Sequence, residues 1–161
     1  MDVVEKTVQE IKNLKIQGAT AVARESLKAL KKVKVEALKE AVEKLASARP
    51  TEPLVKNCLF YVLWQVKKGE KLIEAIDLIL ARLLDVENEI IKLDLSARLP
   101  GIKILTHCHS STVEAVLKTA HQKGINFSVY VTETRPLYQG RITAKNLTKI
   151  LGGAKIYLKN E

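Results

Sequence analysis

The chain has 161 residues, 47% apolar, 28% charged and 4% aromatic. That apolar share builds a real core and excludes a disordered chain, and the length suits one domain or a helical cap with a small second lobe. The formal charge of +9 is uneven: residues 1–100 carry 18 Lys and Arg against 15 Asp and Glu (+3), and residues 101–161 carry 9 against 3 (+6).

In chain order, Val4, Val8 and Ile11 recur at helical spacing and predict a helix over 3–16, with Asp2 as its N-cap. This N-terminus mixes acidic and basic residues and lacks the apolar block of a signal peptide. No apolar run is long enough to span a bilayer, so the chain reads as cytoplasmic, with no membrane partner. Gly18 interrupts the pattern, and a second helix follows from about Thr20, with Val22, Leu27 and Leu30. A third spans about 34–48 and stops before Pro50; a fourth spans about 53–67 and is closed by Gly69. A fifth, about 70–98, carries a stripe from Leu72 and Ile76 through Val86 and Ile90 to Leu93.

Pro100-Gly101 marks a change of grammar. Ile102–Leu105 and Phe127–Thr132 are β-branched, apolar runs that predict strands, and Ala154–Leu158 predicts a third. Thr112–Lys123 and Thr143–Ile150 predict helices between them. Strands alternating with helices imply a parallel sheet built of βαβ units. The fold class is α/β: a helical bundle over 1–99, then a small, unfinished parallel βαβ lobe over 100–161. A sheet of two or three strands leaves apolar faces and an edge uncovered, so a homo-oligomer or a partner chain is expected.

Two runs carry chemistry. Leu105-Thr-His-Cys-His-Ser-Ser111 lies where a strand passes into a helix, the place where open α/β sheets gather ligands. The free N–H groups of the next helix start near Ser110 and Ser111 and can seat an anionic phosphate. The same field favours a thiolate, so Cys108 reads as an acid/base group; the competing reading is a small core cysteine. His107 and His109 would share one side of an extended chain with Cys108 opposed, and His121 falls on the following helix, so no metal site is expected. The histidines then serve to orient the loop. Cys58 and Cys108 form no CxxC motif and no disulfide framework. The second run, Thr132-Glu-Thr-Arg-Pro-Leu-Tyr-Gln-Gly140, follows the next strand and can reach the same crevice. Arg135 offers a bidentate phosphate clamp, Glu133 can orient a sugar hydroxyl or hold Arg135, and Pro136 and Gly140 shape the loop. A basic surface suits nucleic acid or a phosphorylated ligand, or is a plain Lys-rich solvated surface; few aromatic rings favour a phosphate ligand over nucleic acid, and no cofactor is implied.

ILTHCHSS followed by VYVTETRPLYQGRITAKNL is very similar to the Rossmann-like lobe of the initiation factor 2B alpha/beta/delta superfamily. Within it, THCHS and the TETRP segment resemble archaeal ribose-1,5-bisphosphate isomerases most closely. Members carry an Arg-Gly-Ala turn after the first helix; here it reads Gln17-Gly18-Ala19, which leaves the backbone of Gly18 and Ala19 for a phosphate. An Arg-Pro-Thr turn followed by an Asn matches Arg49-Pro50-Thr51 and Asn57, making Arg49 a phosphate candidate. The resemblance implies conversion of ribose 1,5-bisphosphate to ribulose 1,5-bisphosphate, with Cys108 as one member of an acid/base pair. It gives the other part to an Asp in a later Gly-Ala-Asp motif, absent from these 161 residues, so activity by this chain alone is in question. The alternative is a non-catalytic subunit that binds a sugar phosphate or nucleotide, or that contacts translation initiation factor 2.

Overall fold

The computed structural model describes residues 2–93, 100–152 and 155–159. The chain divides into two units, Met1–Asp85 and Val86–Glu161.

The first unit holds α1 (Val3–Lys12), α2 (Ala19–Leu30), α3 (Leu38–Ser47), α4 (Pro53–Lys67) and the start of α5 (Leu72–Lys92). Val4, Val8 and Ile11 of α1 meet Val22, Leu27 and Leu30 of α2 in a core completed by Leu45, Leu59, Val62 and Ile76. Each such fully buried aliphatic side chain contributes about 1.5–3 kcal/mol. Asp2 stands at the N-cap of α1, but its side chain makes no capping bond; its carbonyl accepts from the Lys6 N–H at 2.9 Å. The first helix ends at Lys12, short of the expected 16, because Leu14 turns left-handed (φ 57°) and the Lys15 N–H folds back onto the Glu10 carbonyl at 2.9 Å. The third helix is preceded by a 3₁₀ turn, Val35–Ala37. The apolar stripe of α5 is buried only at Leu72, Ala75 and Ile76; Val86, Ile90 and Leu93 are exposed, and 94–98 of the predicted helix lie outside the described residues. Among the described residues no helix is long and apolar enough to cross a membrane.

The second unit holds β1 (Lys103–Thr106), α6 (Ser111–Gln122), β2 (Ser128–Thr132), α7 (Gln139–Leu151) and β3 (Lys155–Lys159). The strands are parallel, in the order β1-β2-β3, with Leu105 beside Tyr130 and Tyr130 beside Tyr157. This is the α/β class expected; Ala154, placed at the start of the third strand, lies outside the described residues. Val129 and Val131 point to one face and join Leu117, Leu147 and Leu151 from the two helices. The opposite face carries Leu105, 70% exposed, and the stacked rings of Tyr130 and Tyr157, 4.7 Å apart. Parallel sheets ordinarily bury both faces, so this row is an open apolar surface of the unit.

Helix α7 begins at Gln139, four residues before the predicted Thr143, and therefore includes Gly140. A Cβ on Gly140 would run into the Thr132 carbonyl and lie 2.8 Å from its carbon. Glycine here lets the first turn of α7 seat directly on the end of β2, rather than shaping a loop.

Candidate active site

Thr106 of β1 pairs with Val131 of β2, so the segments that follow both strands leave the same end of the sheet. Parallel α/β sheets bind ligands there. The first segment is His107–Ser110 and the second Glu133–Tyr138. Cys108 is left-handed, with φ 63°, so the strand-like alternation expected of His107, Cys108 and His109 does not hold. Its backbone is held on both sides. The Cys108 N–H donates to the Thr134 hydroxyl at 3.0 Å, and the Thr143 hydroxyl donates to the Cys108 carbonyl at 3.0 Å. Thr134 itself sits at φ 61°, and Tyr138 at φ 53°. Left-handed backbone at non-glycine residues costs about 1–3 kcal/mol apiece and persists where surrounding contacts over-determine it. Three such residues in two facing segments mark a built site.

The histidines anchor the loop separately. His107 Nδ1 lies 2.6 Å from the Thr132 hydroxyl. His109 Nδ1 lies 3.2 Å from the Thr143 hydroxyl and 3.1 Å from Glu114 Oε1. Asn146 donates to both oxygens of Glu114, at 3.3 and 3.1 Å. Ser110 caps α6: its hydroxyl accepts from the Val113 N–H at 3.3 Å, and Ser111, exposed, opens the helix. The first N–H groups of a helix point out of its end, where an anion can sit.

Glu133 is only 3% exposed and lies between two guanidiniums. Arg135 Nε donates to Oε2 at 2.8 Å; Arg141 donates to Oε1 through Nε at 2.7 Å and also through NH2. Both arginines keep more than half of their side chains exposed, and Arg141 lies over the Tyr138 ring, 4.3 Å from its centre. The Arg135 hydrogen bond, then that of Arg141, holds the Glu133 carboxyl below its ordinary value of 4.5. A carboxylate whose folded value is depressed contributes stability above the unfolded value and loses it as pH falls through the folded one. Glu133→Gln is therefore expected to be less stable than the parent at neutral pH, with the difference closing below about pH 4.5. Denaturant titrations at stepped pH read this directly; a difference constant with pH would mean the ion pairs contribute nothing.

The predicted Cys108, Ser110, Glu133 and Arg135 lie on these two segments, and Ser111 opens α6 directly after the first. Thr132, Thr134, Thr143, Glu114, Asn146 and Arg141 were not singled out from the sequence. The predicted Gly18, Ala19 and Arg49 belong to the first unit. Gly18 is the N-cap of α2, with φ 88°, and Ala19 is the first residue of the helix. Gln17, at the family's arginine position, donates to the Leu14 carbonyl at 2.8 Å. One terminal nitrogen of Arg49 is buried and has no hydrogen-bond partner among the described residues. Most buried donors in native folds have a partner.

Residues 6–150 match the profile of the Initiation factor 2 subunit family. The chain belongs to that family. Among its relatives, the ribose 1,5-bisphosphate isomerase of Methanocaldococcus jannaschii is 35% identical, over 91% of this chain and 52% of the relative. That of Pyrococcus furiosus is 32% identical, over 94% of this chain and 56% of the relative. This member of the family thus spans about half the length of these curated relatives. The crystal structure of a translation initiation factor eIF-2B from Pyrococcus horikoshii superposes on 98% of the chain with a TM-score of 0.76, at 22% identity, covering 59% of that structure. At that identity the likeness is one of fold.

Proposed function

We propose that this chain contributes the cysteine-loop part of a sugar-phosphate isomerase that converts ribose 1,5-bisphosphate to ribulose 1,5-bisphosphate. The observation that carries the reading is the fixed Cys108, held by Thr134 and Thr143 at a strand-to-helix junction. The relatives named for this isomerisation support it. In this reading Cys108 is an acid/base group. Ser110, Ser111 and the first turn of α6 take one phosphate, beside the guanidinium of Arg135, which Glu133 orients. Gly18 and Ala19 at the start of α2, and Arg49, are phosphate contacts proposed for the first unit by itself.

The reading includes a second copy or a partner chain. The open sheet face bearing Leu105, Tyr130 and Tyr157 supports this, because a parallel sheet buries both faces. The alternative, a binding subunit that contacts translation initiation factor 2, has no use for an immobilised cysteine.

The test is a calorimetric titration of the chain with ribose 1,5-bisphosphate, beside a turnover assay on the same sample. Saturable binding is expected, with ribulose 1,5-bisphosphate as product. Binding without product would favour the binding-subunit reading, and no binding would overturn the isomerase reading.

A further inference from the structure

Within the first unit, α4 and α5 leave a groove of about 480 Å³, walled by Cys58 and Tyr61 on one side and by Leu78, Ile79, Arg82 and Leu83 on the other. An aromatic ridge runs beside it on α4. Phe60 and Trp64, one turn apart, are each 47% exposed, and the exposed Tyr61 ring lies 5.6 Å from that of Trp64. Lys68 Nζ sits 3.5 Å from the centre of the Trp64 ring and holds it in place. The whole chain has one Trp, four Tyr and two Phe, so three of its seven aromatic rings stand exposed within five residues of one helix. Across the groove Leu78 is 52% exposed. Trp, Tyr and Arg are the residues that anchor protein contacts, and an apolar patch of this kind marks one.

The charges of this face select its occupant. Residues 51–85 carry five basic side chains (Lys56, Lys67, Lys68, Lys71, Arg82) and five acidic ones (Glu52, Glu70, Glu74, Asp77, Asp85), a balance of zero in a chain of +9. Residues 1–50 carry 11 Lys and Arg against 7 Asp and Glu, and residues 86–161 carry 11 against 6. An acidic partner would be drawn to those basic parts. Two copies of the chain repel each other everywhere except at the neutral stretch. That stretch is also its own complement. Residues 53–68 hold three lysines and no acid, whereas residues 70–85 hold four acids against Lys71 and Arg82. Lys56 and Lys67 on α4, and Arg82 and Asp85 on α5, have no ion-pair partner among the described residues. A twofold contact uses one patch twice, so the patch must offer a ridge with a hollow and both signs of charge. The α4–α5 face offers all of these.

We propose that the α4–α5 face of the first unit binds a second copy of this chain about a twofold axis, the Phe60 and Trp64 ridge of each copy entering the groove of the other. The basic α4 of one copy then meets the acidic α5 of its partner, and Arg82 lies in the groove that receives the rings, where a guanidinium stacks on an aromatic face. The inference does not use the isomerase reading, and it does not involve the open sheet face of the second unit.

Sedimentation equilibrium of the full chain over a range of concentrations, read beside its tryptophan fluorescence, is the test. Trp64 is the only tryptophan, so the emission reports on this face alone. A dimer is expected, with emission moving to the red as dilution separates the copies. A chain that stays monomeric at every concentration would overturn the inference. So would a dimer that dissociates with its emission unchanged, because such a dimer is held elsewhere, as through the open sheet face. Phe60→Glu, which keeps Trp64 as the reporter, is expected to raise the dissociation constant about 30-fold or more, the effect of losing a central anchor. Leu78→Glu is expected to do the same from the groove side, so that a folding defect in one variant is checked by the other. Both positions lie outside the core, and the unfolding midpoints of the dilute variants are expected to match that of the dilute parent. Variants that fold and dimerise as the parent does would overturn the assignment.

Discussion

Replacing Cys108 by Ser is expected to slow turnover of ribose 1,5-bisphosphate by about 10²–10⁴ while leaving the unfolding midpoint of the chain in place. The two halves of that expectation come from different parts of the residue. The structural bonds of Cys108 are made by its backbone: its N–H to Thr134, its carbonyl from Thr143. Serine keeps both and adds no bulk, so the stability change stays within about 0.5 kcal/mol. The thiol is different. A hydroxyl is a far weaker acid, so a step that needs the proton to leave and return slows by about 10²–10⁴, the usual worth of a positioned acid/base group. Cys58 serves as an internal control. It is buried in the core of the first unit, and burial pushes its thiol up. An alkylating reagent at neutral pH is expected to label Cys108 and spare Cys58, and labelling is expected to stop turnover in step. Full activity in the serine variant would remove Cys108 from the chemistry, and a collapsed unfolding midpoint would assign it to the fold instead.

How far the sequence carries this site depends on how local its contacts are. Helix α4 is legible to the residue, because Pro53 fits a first turn and Gly69 turns the chain after Lys68. The strands and α6 are displaced by one residue from the predicted runs, since the β-branched runs and Ser110 are themselves local signals. Cys108, Ser110, Arg135 and Glu133 are legible for the same reason: they sit in short runs whose residue types have few other uses. The start of α7 is not. Nothing in LYQG says that the helix begins at Gln139; the close seat of Gly140 on Thr132 decides it, and that is a tertiary contact. The partners that fix the loop are further still. Thr143 lies 35 residues from Cys108, and Asn146 lies 32 from Glu114. A threonine or an asparagine on a helix is ordinary in sequence and acquires its role only when β2 and α7 bring it beside the loop. The stripe of α5 misleads in the opposite direction, since its helical period continues through Val86 and Ile90 where burial in the first core has stopped.

Arg49→Ala is expected to weaken binding of ribose 1,5-bisphosphate by about 1.5–3 kcal/mol, roughly 10–150-fold in Kd, without lowering the stability of the unliganded chain. The unusual part is the second clause, and it follows from the orphaned terminal nitrogen. A buried donor without an acceptor costs about 1–3 kcal/mol. Truncation removes that cost together with the packing of the arginine stem, and the two offset. A surface arginine would change neither quantity; an arginine that braces the fold would lower stability and leave binding alone. Only a ligand contact lowers affinity while stability holds. Arg49→Lys separates charge from geometry, because an ammonium keeps the charge but lacks the planar fork that grips a phosphate through two N–H groups. Its affinity is expected to fall between parent and alanine variant. Calorimetric titration of the three proteins beside their denaturant midpoints gives both axes at once. Equal affinity in all three would take Arg49 out of the phosphate site and leave the buried nitrogen as a strain of the helical unit alone.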